Sequence, residues 1–228
     1  IAGKQGEFFS MSLDERKRCF EIAVSEAGPK CQTIMSCSDQ NFDTVIDLAK
    51  HAENIGADYI VVHAPVLNFV SDRKQILINY YTELSSRVNI GIAMWSHPDS
   101  GYLMEPELCN EIAELENIVA IKYSVPRQMY KELTELAGNR LIVSTASESE
   151  WYDNILELNW KLYLCSSPPF LLQTKNDKRM DEYTKFAFEK NFSQAKVIRD
   201  SLDPVRKAFN NSKPPGKPHA HQKYWQEL

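Results

Sequence analysis

The sequence predicts an α/β protein built on a parallel sheet, and three observations carry that expectation. Six short apolar segments recur at intervals of roughly 20–30 residues, each separated from the next by a stretch with helical periodicity. Prolines close two of the apolar segments, Pro65 after the second and Pro98 after the third. The segment Ile118-Val119-Ala120-Ile121 runs without a break into Lys122, the pattern of a strand covered on both faces. At this level a doubly wound open sheet and a closed (β/α)8 barrel fit equally well. In both, functional residues gather at the carboxyl ends of the strands.

The elements follow in order. Ser12-Leu13-Asp14-Glu15 is a capping box, and an amphipathic helix runs from it to residue 27. A short strand is expected over 31–37. The spacing of Val45, Ile46, Leu48, Ala49 and Ala52 gives a helix over 43–55, stopped by Gly56. A strand over 58–63, a helix over 72–87 and a strand over 89–95 come next. The alternation continues with a helix over 105–115, the strand over 118–122, a helix over 127–137 and a strand over 140–144. A helix over 148–158 and a sixth strand over 161–165 complete it. Beyond Pro168-Pro169 only helices are expected, over 178–190 and 193–210, and the Pro-, Lys- and Gly-rich stretch 212–221 reads as a loop.

The chain has 228 residues, 43% of them hydrophobic and 25% charged, enough for one globular domain with a sizeable core. With a net charge of −5 and no basic stripe, nucleic-acid binding has no electrostatic support. No apolar run approaches the ~18 residues that a membrane span needs. Lys4, Gln5 and Glu7 interrupt any apolar leader core. The five cysteines are odd in number and widely spaced, and no histidine cluster joins them. That argues against a metal site and for a reducing, cytoplasmic setting. His219 and His221, with Lys213 and Lys217, read as a solvated segment.

The places to search for a site are the positions just past the strands: 3–7, 36–38, 63–68, 95–101, 122–124, 144–147 and 166–168. Lys122 belongs to this set. A lysine in an apolar strand end is disfavoured as the ammonium, and the neutral amine is a nucleophile toward carbonyl groups. Tyr123, the next residue, faces the other side of the strand and belongs to the core.

Several motifs now fall into a familiar order. Gly3, Gly6 and Glu7 form a GxxGE loop, followed by Met11-Ser12-Leu13-Asp14-Glu15-Arg16. Gly56-Ala57-Asp58 leads into a strand ending at Pro65, and Trp95-Ser96-His97-Pro98 is an aromatic-x-x-Pro turn with Gly101 after it. With Asn117–Lys122 and Phe192-Ser193-Gln194-Ala195, this resembles the dihydrodipicolinate synthase / N-acetylneuraminate lyase family over nearly the whole chain. The resemblance implies a (β/α)8 TIM barrel with extra C-terminal helices: a partial barrel over 1–168 and a helical region over 169–228. The first strand, part of the second and a last helical portion would then lie outside this sequence, with Ile1-Ala2 closing the second strand. It also implies an imine-forming lyase of aldolase, hydratase-aldolase or dehydratase type. Such an enzyme acts on a 2-oxo acid such as pyruvate with Lys122 as nucleophile, needs no cofactor, and is a homo-oligomer (dimer or tetramer).

The departures bear on specificity. Trp95 stands where the family has a proton-carrying tyrosine, and an indole offers only an N–H donor. Lys4 and Gln5 replace two threonines; their loop is the expected holder of the substrate carboxylate, with Lys4 adding charge. Val66 and Leu67 follow Pro65 where a further tyrosine is usual, and Asp99-Ser100-Gly101 carries no arginine for a second carboxylate, so a lysine-pathway synthase is not expected. Proton transfer needs an acid–base group, and His97 and His63 are the candidates beside Ser96, bound water and the substrate's own carboxylate. Substrate binding is expected from Lys4, Gln5, Trp95, Ser96, His97 and Thr145, while Glu7 braces its loop. Trp95, Val66 and Leu67 together favour an acceptor less polar than a sugar. The alternative is a relative with altered or lost catalysis that serves as a small-molecule-binding protein.

Overall fold

The computed structural model describes residues 1–145, 147–164 and 173–211. These fall into two compact units, one spanning Ile1–Thr145 and one formed by the described residues beyond it. The boundary expected at 168/169 lies outside the described residues, as do Cys165, the 166–168 segment and the 212–221 stretch.

In the first unit, five strands form one parallel sheet: β1 (Ile34–Ser36), β2 (Tyr59–His63), β3 (Gly91–Ser96), β4 (Ile118–Tyr123) and β5 (Ile142–Ser144). Their order in the sheet is their order in the chain. Parallel crossovers are right-handed, so an unbroken sequential order carries every connecting helix to the same face. A doubly wound sheet requires a reversal of order, and this sheet has none. The winding is that of a (β/α)8 barrel. Ile1 extends it on the other side of β1: its N–H group donates to the Ile34 carbonyl at 2.7 Å and its carbonyl accepts from Ser36 N–H at 3.0 Å, a parallel bridge to Met35.

The connecting helices are α1 (Leu13–Ala27), α2 (Phe42–Asn54), α3 (Arg73–Arg87), α4 (Pro106–Ile112) and α5 (Arg127–Ala137). The capping box forms as expected. Glu15 N–H donates to Ser12 Oγ at 3.3 Å, and the Glu15 carboxylate accepts from Ser12 N–H at 2.8 Å. Asn41 and Asp72 cap α2 and α3 more simply, their side chains accepting from Asp43 N–H and Gln75 N–H. Gly56, at φ +79°, turns the chain after α2 in the left-handed region that glycine enters without strain.

The two sides of the sheet differ. Ile60, Val62, Ile92, Met94, Ile121, Tyr123 and Val143 are all buried on the helix-facing side. The other side carries Tyr59, Val61 and His63 of β2, then Ala93 and Trp95 of β3, then Ala120 and Lys122 of β4. On this side the Tyr59 ring lies over Gly91, where an added Cβ would meet Tyr59 Cδ1 at 2.7 Å. Only glycine admits that approach.

The second unit contains α6 (Trp151–Leu158), α7 (Arg179–Phe188), α8 (Phe192–Asp200) and α9 (Asp203–Asn210). Its core holds the buried Glu148, gripped by Arg206 through two bonds of 2.8 Å and by the Tyr183 hydroxyl at 2.7 Å. Burial works against the Arg206 charge, but the Glu148 pairing outweighs it and raises the pKa. Two expectations need correction here. The helix expected over 193–210 is two helices, because Pro204 has no N–H to donate and its ring collides with the carbonyl four residues back. Residues 161–164 belong to no ladder among the described residues.

Candidate active site

One irregularity decides which side chains meet. Ile92 pairs with Ile118, but Ala93 pairs with Ala120, so Val119 is an extra residue in β4. Without that bulge Lys122 would stand opposite Ser96 and share its face. With it, Lys122 stands opposite Trp95, and Trp95 opposite His63. Ser144 pairs with Lys122 on the far side. At the near side the Ser38 hydroxyl accepts from His63 N–H at 2.9 Å. Ser38, His63, Trp95, Lys122 and Ser144 thus form one row at the carboxyl ends of consecutive strands.

The contacts along the row are close. Lys122 Nζ lies 4.6 Å from the centroid of the Trp95 ring, over its electron-rich face. The His63 ring meets Trp95 edge-on at 4.8 Å. His63 Nδ1 lies 2.7 Å from the Ala64 carbonyl oxygen, a contact that places the ring proton on Nδ1 and makes Nε2 the basic atom. Trp95 is 4% exposed, and its Nε1–H has no acceptor among the described residues.

A cavity of about 420 Å³ opens beside this row. It is lined by Trp95 and His63, by Ser38, Asp39 and Gln40 after β1, by Lys4 of the GxxGE loop and Phe8 and Phe9 just after it, and by Asp99. Its charges are matched within the wall. Lys4 is ion-paired with Asp99, and Asp39 accepts from Arg16 Nη1 at 3.2 Å. Arg16, only 2% exposed, also donates through Nη2 to the Ser36 and Ser38 carbonyls at 2.9 Å each, and its guanidinium stacks 5.0 Å from the Phe8 ring. Burial pulls its pKa down from the ordinary range, and Asp39 partly offsets this.

Of the residues singled out from sequence, Lys4, His63 and Trp95 line the cavity, and Lys122 meets the Trp95 ring without itself forming the wall. Lys122 is half-buried, less enclosed than a strand covered on both faces implies. Gln5 sits in the 3-10 turn Lys4–Gly6 and is half-buried outside the lining. Ser96 is buried on the opposite face, its hydroxyl accepting from Met104 N–H at 3.1 Å. His97 caps the turn Pro98–Ser100, accepting from Asp99 N–H through Nδ1 at 3.1 Å. The same nitrogen lies 3.3 Å from Asp99 Oδ1, a contact it can use only when the ring proton sits on Nδ1. Thr145 is buried just past β5, outside the lining. Tyr123 is core, as its place in the strand implies, and donates to the Met104 carbonyl. Val66 and Leu67 are not in the cavity wall. Val66 is 39% exposed and its backbone is held by the Gln40 side chain, so the apolar surface comes from Phe8, Phe9 and Trp95 instead.

Sequential parallel strands with one lysine-bearing row and a cavity at their carboxyl ends define a (β/α)8 barrel protein with its candidate site at the usual end of the barrel. Residues 1–215 match the profile of the dihydrodipicolinate synthetase family, and the chain belongs to that family. Among curated relatives, the 4-hydroxy-tetrahydrodipicolinate synthase of Clostridium perfringens (strain 13 / Type A) is 26% identical over 152 residues, covering 66% of this chain and 52% of that protein. The corresponding synthase of Syntrophobacter fumaroxidans is 29% identical over 150 residues, 64% of this chain and 50% of its own. The chain thus spans about half the length of these relatives. Two solved structures share the fold at a TM-score of 0.82. One is the dihydrodipicolinate synthase of Aquifex aeolicus, 22% identical, with coverage of 94% of this chain and 72% of that one. The other is a prophage protein of the dihydrodipicolinic acid synthase family from E. coli K12 in complex with pyruvate, 21% identical, covering 94% and 71%. Among the described residues, no helix is long and apolar enough to cross a membrane.

Proposed function

We propose that the chain is an imine-forming lyase of aldolase type acting on a 2-oxo acid such as pyruvate, with Lys122 as the nucleophile. The observation that supports this most is the row itself: an amine at a strand end, held against the face of Trp95 in a family barrel. The amine nitrogen attacks the ketone carbon, water leaves, and an iminium ion forms. The indole face stabilises a cation over it by about 0.5–2 kcal/mol, and the iminium is such a cation. Loss of a proton from the adjacent carbon then gives the enamine that joins or leaves a carbon partner.

In this reading His63 carries the proton. It lines the cavity beside Trp95, and imidazole both takes and gives protons, which an indole N–H does not. Lys4 supports the carboxylate, an incoming anion competing with Asp99 for its ammonium. Reduction with borohydride in the presence of pyruvate converts an imine into a stable secondary amine. The expected result is a pyruvyl adduct on the Lys122 peptide, absent from Lys122→Ala. No adduct across a panel of 2-oxo acids rejects the mechanism.

A further inference from the structure

The turn that follows β3 is tied twice to the segment that follows β2. Ser100 Oγ donates to the Ala64 carbonyl at 2.8 Å, and the Tyr102 hydroxyl donates to the Pro65 carbonyl at 2.7 Å. Ser100 is buried, with 2% of its surface exposed. Its backbone is held by the turn. Ser100 N–H donates to the His97 carbonyl at 3.0 Å, and Gly101, at φ +81°, closes the turn with a bond to the Pro98 carbonyl at 2.9 Å. One of the two ties reaches the ring of His63, and the other does not.

Ser100 Oγ, the Ala64 carbonyl oxygen and His63 Nδ1 form a triangle. Its sides are 2.8 Å from Oγ to the carbonyl oxygen, 2.7 Å from that oxygen to Nδ1, and 3.3 Å from Nδ1 back to Oγ. The hydrogens within it can be counted. A carbonyl oxygen only accepts, so the single hydroxyl hydrogen of Ser100 lies on the side toward Ala64. Ser100 then turns only lone pairs to the ring, and both oxygens beside Nδ1 are acceptors. Nδ1 carries the ring proton, and Nε2 is left bare. The main chain of His63 is fixed as well, its N–H donating to Ser38 Oγ at 2.9 Å. His63 lines the cavity, and Ser100 stands behind it, outside the lining.

We infer that Ser100 is a positioning residue, setting the tautomer and orientation of His63 so that Nε2 is the atom that exchanges a proton with substrate in the cavity. The inference rests on the reading in which Lys122 forms the imine and His63 carries the proton. In the step concerned, Nε2 takes a methyl proton from the pyruvate iminium. The C–H pair becomes the carbon–carbon double bond, the C=N π pair moves onto nitrogen, and a neutral enamine and an imidazolium result. Nδ1–H is then a charged donor with two acceptors already in place, and charge-assisted bonds are roughly twice as strong as neutral ones. Ser100 therefore acts on this proton step and not on the attack by Lys122, as the third group that orients a base.

The test follows the exchange of pyruvate methyl protons for deuterium in heavy water, with the full chain and proton NMR. Ser100→Ala should slow the exchange about three- to tenfold, the worth of one ordinary hydrogen bond, while borohydride trapping on Lys122 proceeds as in the unaltered chain. Tyr102→Phe removes the neighbouring tie between the same two segments without touching His63, and should leave the exchange rate unchanged. A Ser100→Ala chain that exchanges at the unaltered rate, or equal losses in the two variants, overturns the inference. A spectrum of the unaltered chain guards against a misfolded variant. With nitrogen-labelled histidine at about pH 9, where histidine rings are ordinarily neutral, the signals absent from His63→Gln should show Nδ1 protonated and Nε2 bare. A proton on Nε2 also overturns the inference. Failed trapping on Lys122 with Nδ1 protonated would reject the imine and leave the Ser100–His63 arrangement standing.

Discussion

Replacing Arg16 by methionine tests how the cavity wall is held. The side chain is 2% exposed and makes three charge-assisted contacts: two to the Ser36 and Ser38 carbonyls at 2.9 Å and one to Asp39 at 3.2 Å. Methionine fills similar space but leaves two buried carbonyls short of a donor and a carboxylate without its partner. Removing one member of a buried pair typically costs about 3–5 kcal/mol. With two units in the chain a single unfolding midpoint is ambiguous, so amide exchange of β1 and β2 is the better assay. Core amides there should exchange on the order of 10²–10⁴-fold faster. Arg18→Met, two residues along the same helix, is the control. Arg18 is exposed and, among the described residues, pairs with Glu21 at 2.9 Å, so its loss should change stability by no more than about 0.5 kcal/mol. If Arg16→Met and Arg18→Met behave alike, the bracing role assigned to Arg16 is wrong.

Two further outcomes follow from local geometry. Gly91→Ala brings a Cβ to 2.7 Å from Tyr59 Cδ1 and 3.2 Å from Val119 Cγ2, an overpacking expected to cost about 1–3 kcal/mol; thermal unfolding should show it, and Tyr59→Ala should recover most of the loss. The Glu15 carboxylate is held below its ordinary range by the Ser12 backbone and hydroxyl donors. Its folded pKa is lower than the unfolded one, so its stabilisation is complete above the unfolded value and is lost as the pH falls through the folded value. Glu15→Gln should therefore trail the unaltered chain at neutral pH and match it in acid, measured by denaturation at both pH values.

How much of this could be read from sequence depends on range. The Ser12–Glu15 box, the Gly56 stop and the three longer strands were legible because each is a short-range pattern with one physical solution. Pro204 carried an equally local signal, and the split into α8 and α9 follows from it. Searching past the strand ends pointed to Ser38, His63, Trp95 and Asp99, all of which line the cavity. Phe8 and Phe9 escaped because they follow the GxxGE turn, where an apolar pair reads as filler. The pairing of Lys4 with Asp99 joins residues 95 positions apart, and no periodicity reports it. The bulge at Val119 was the least legible feature. Ile118–Lys122 reads as a regular strand, and only the ladder with β3 shows that an inserted residue turns Lys122 toward Trp95.

That orientation is what the proposed chemistry needs, and a crystal soaked with pyruvate tests it most directly. Continuous density from Lys122 Nζ to the ketone carbon of pyruvate, with the carboxylate toward Lys4 and the new carbon–nitrogen bond beside the Trp95 ring, is the expected result. Pyruvate bound in the cavity with Lys122 unlinked, or a covalent link at another lysine, would contradict it.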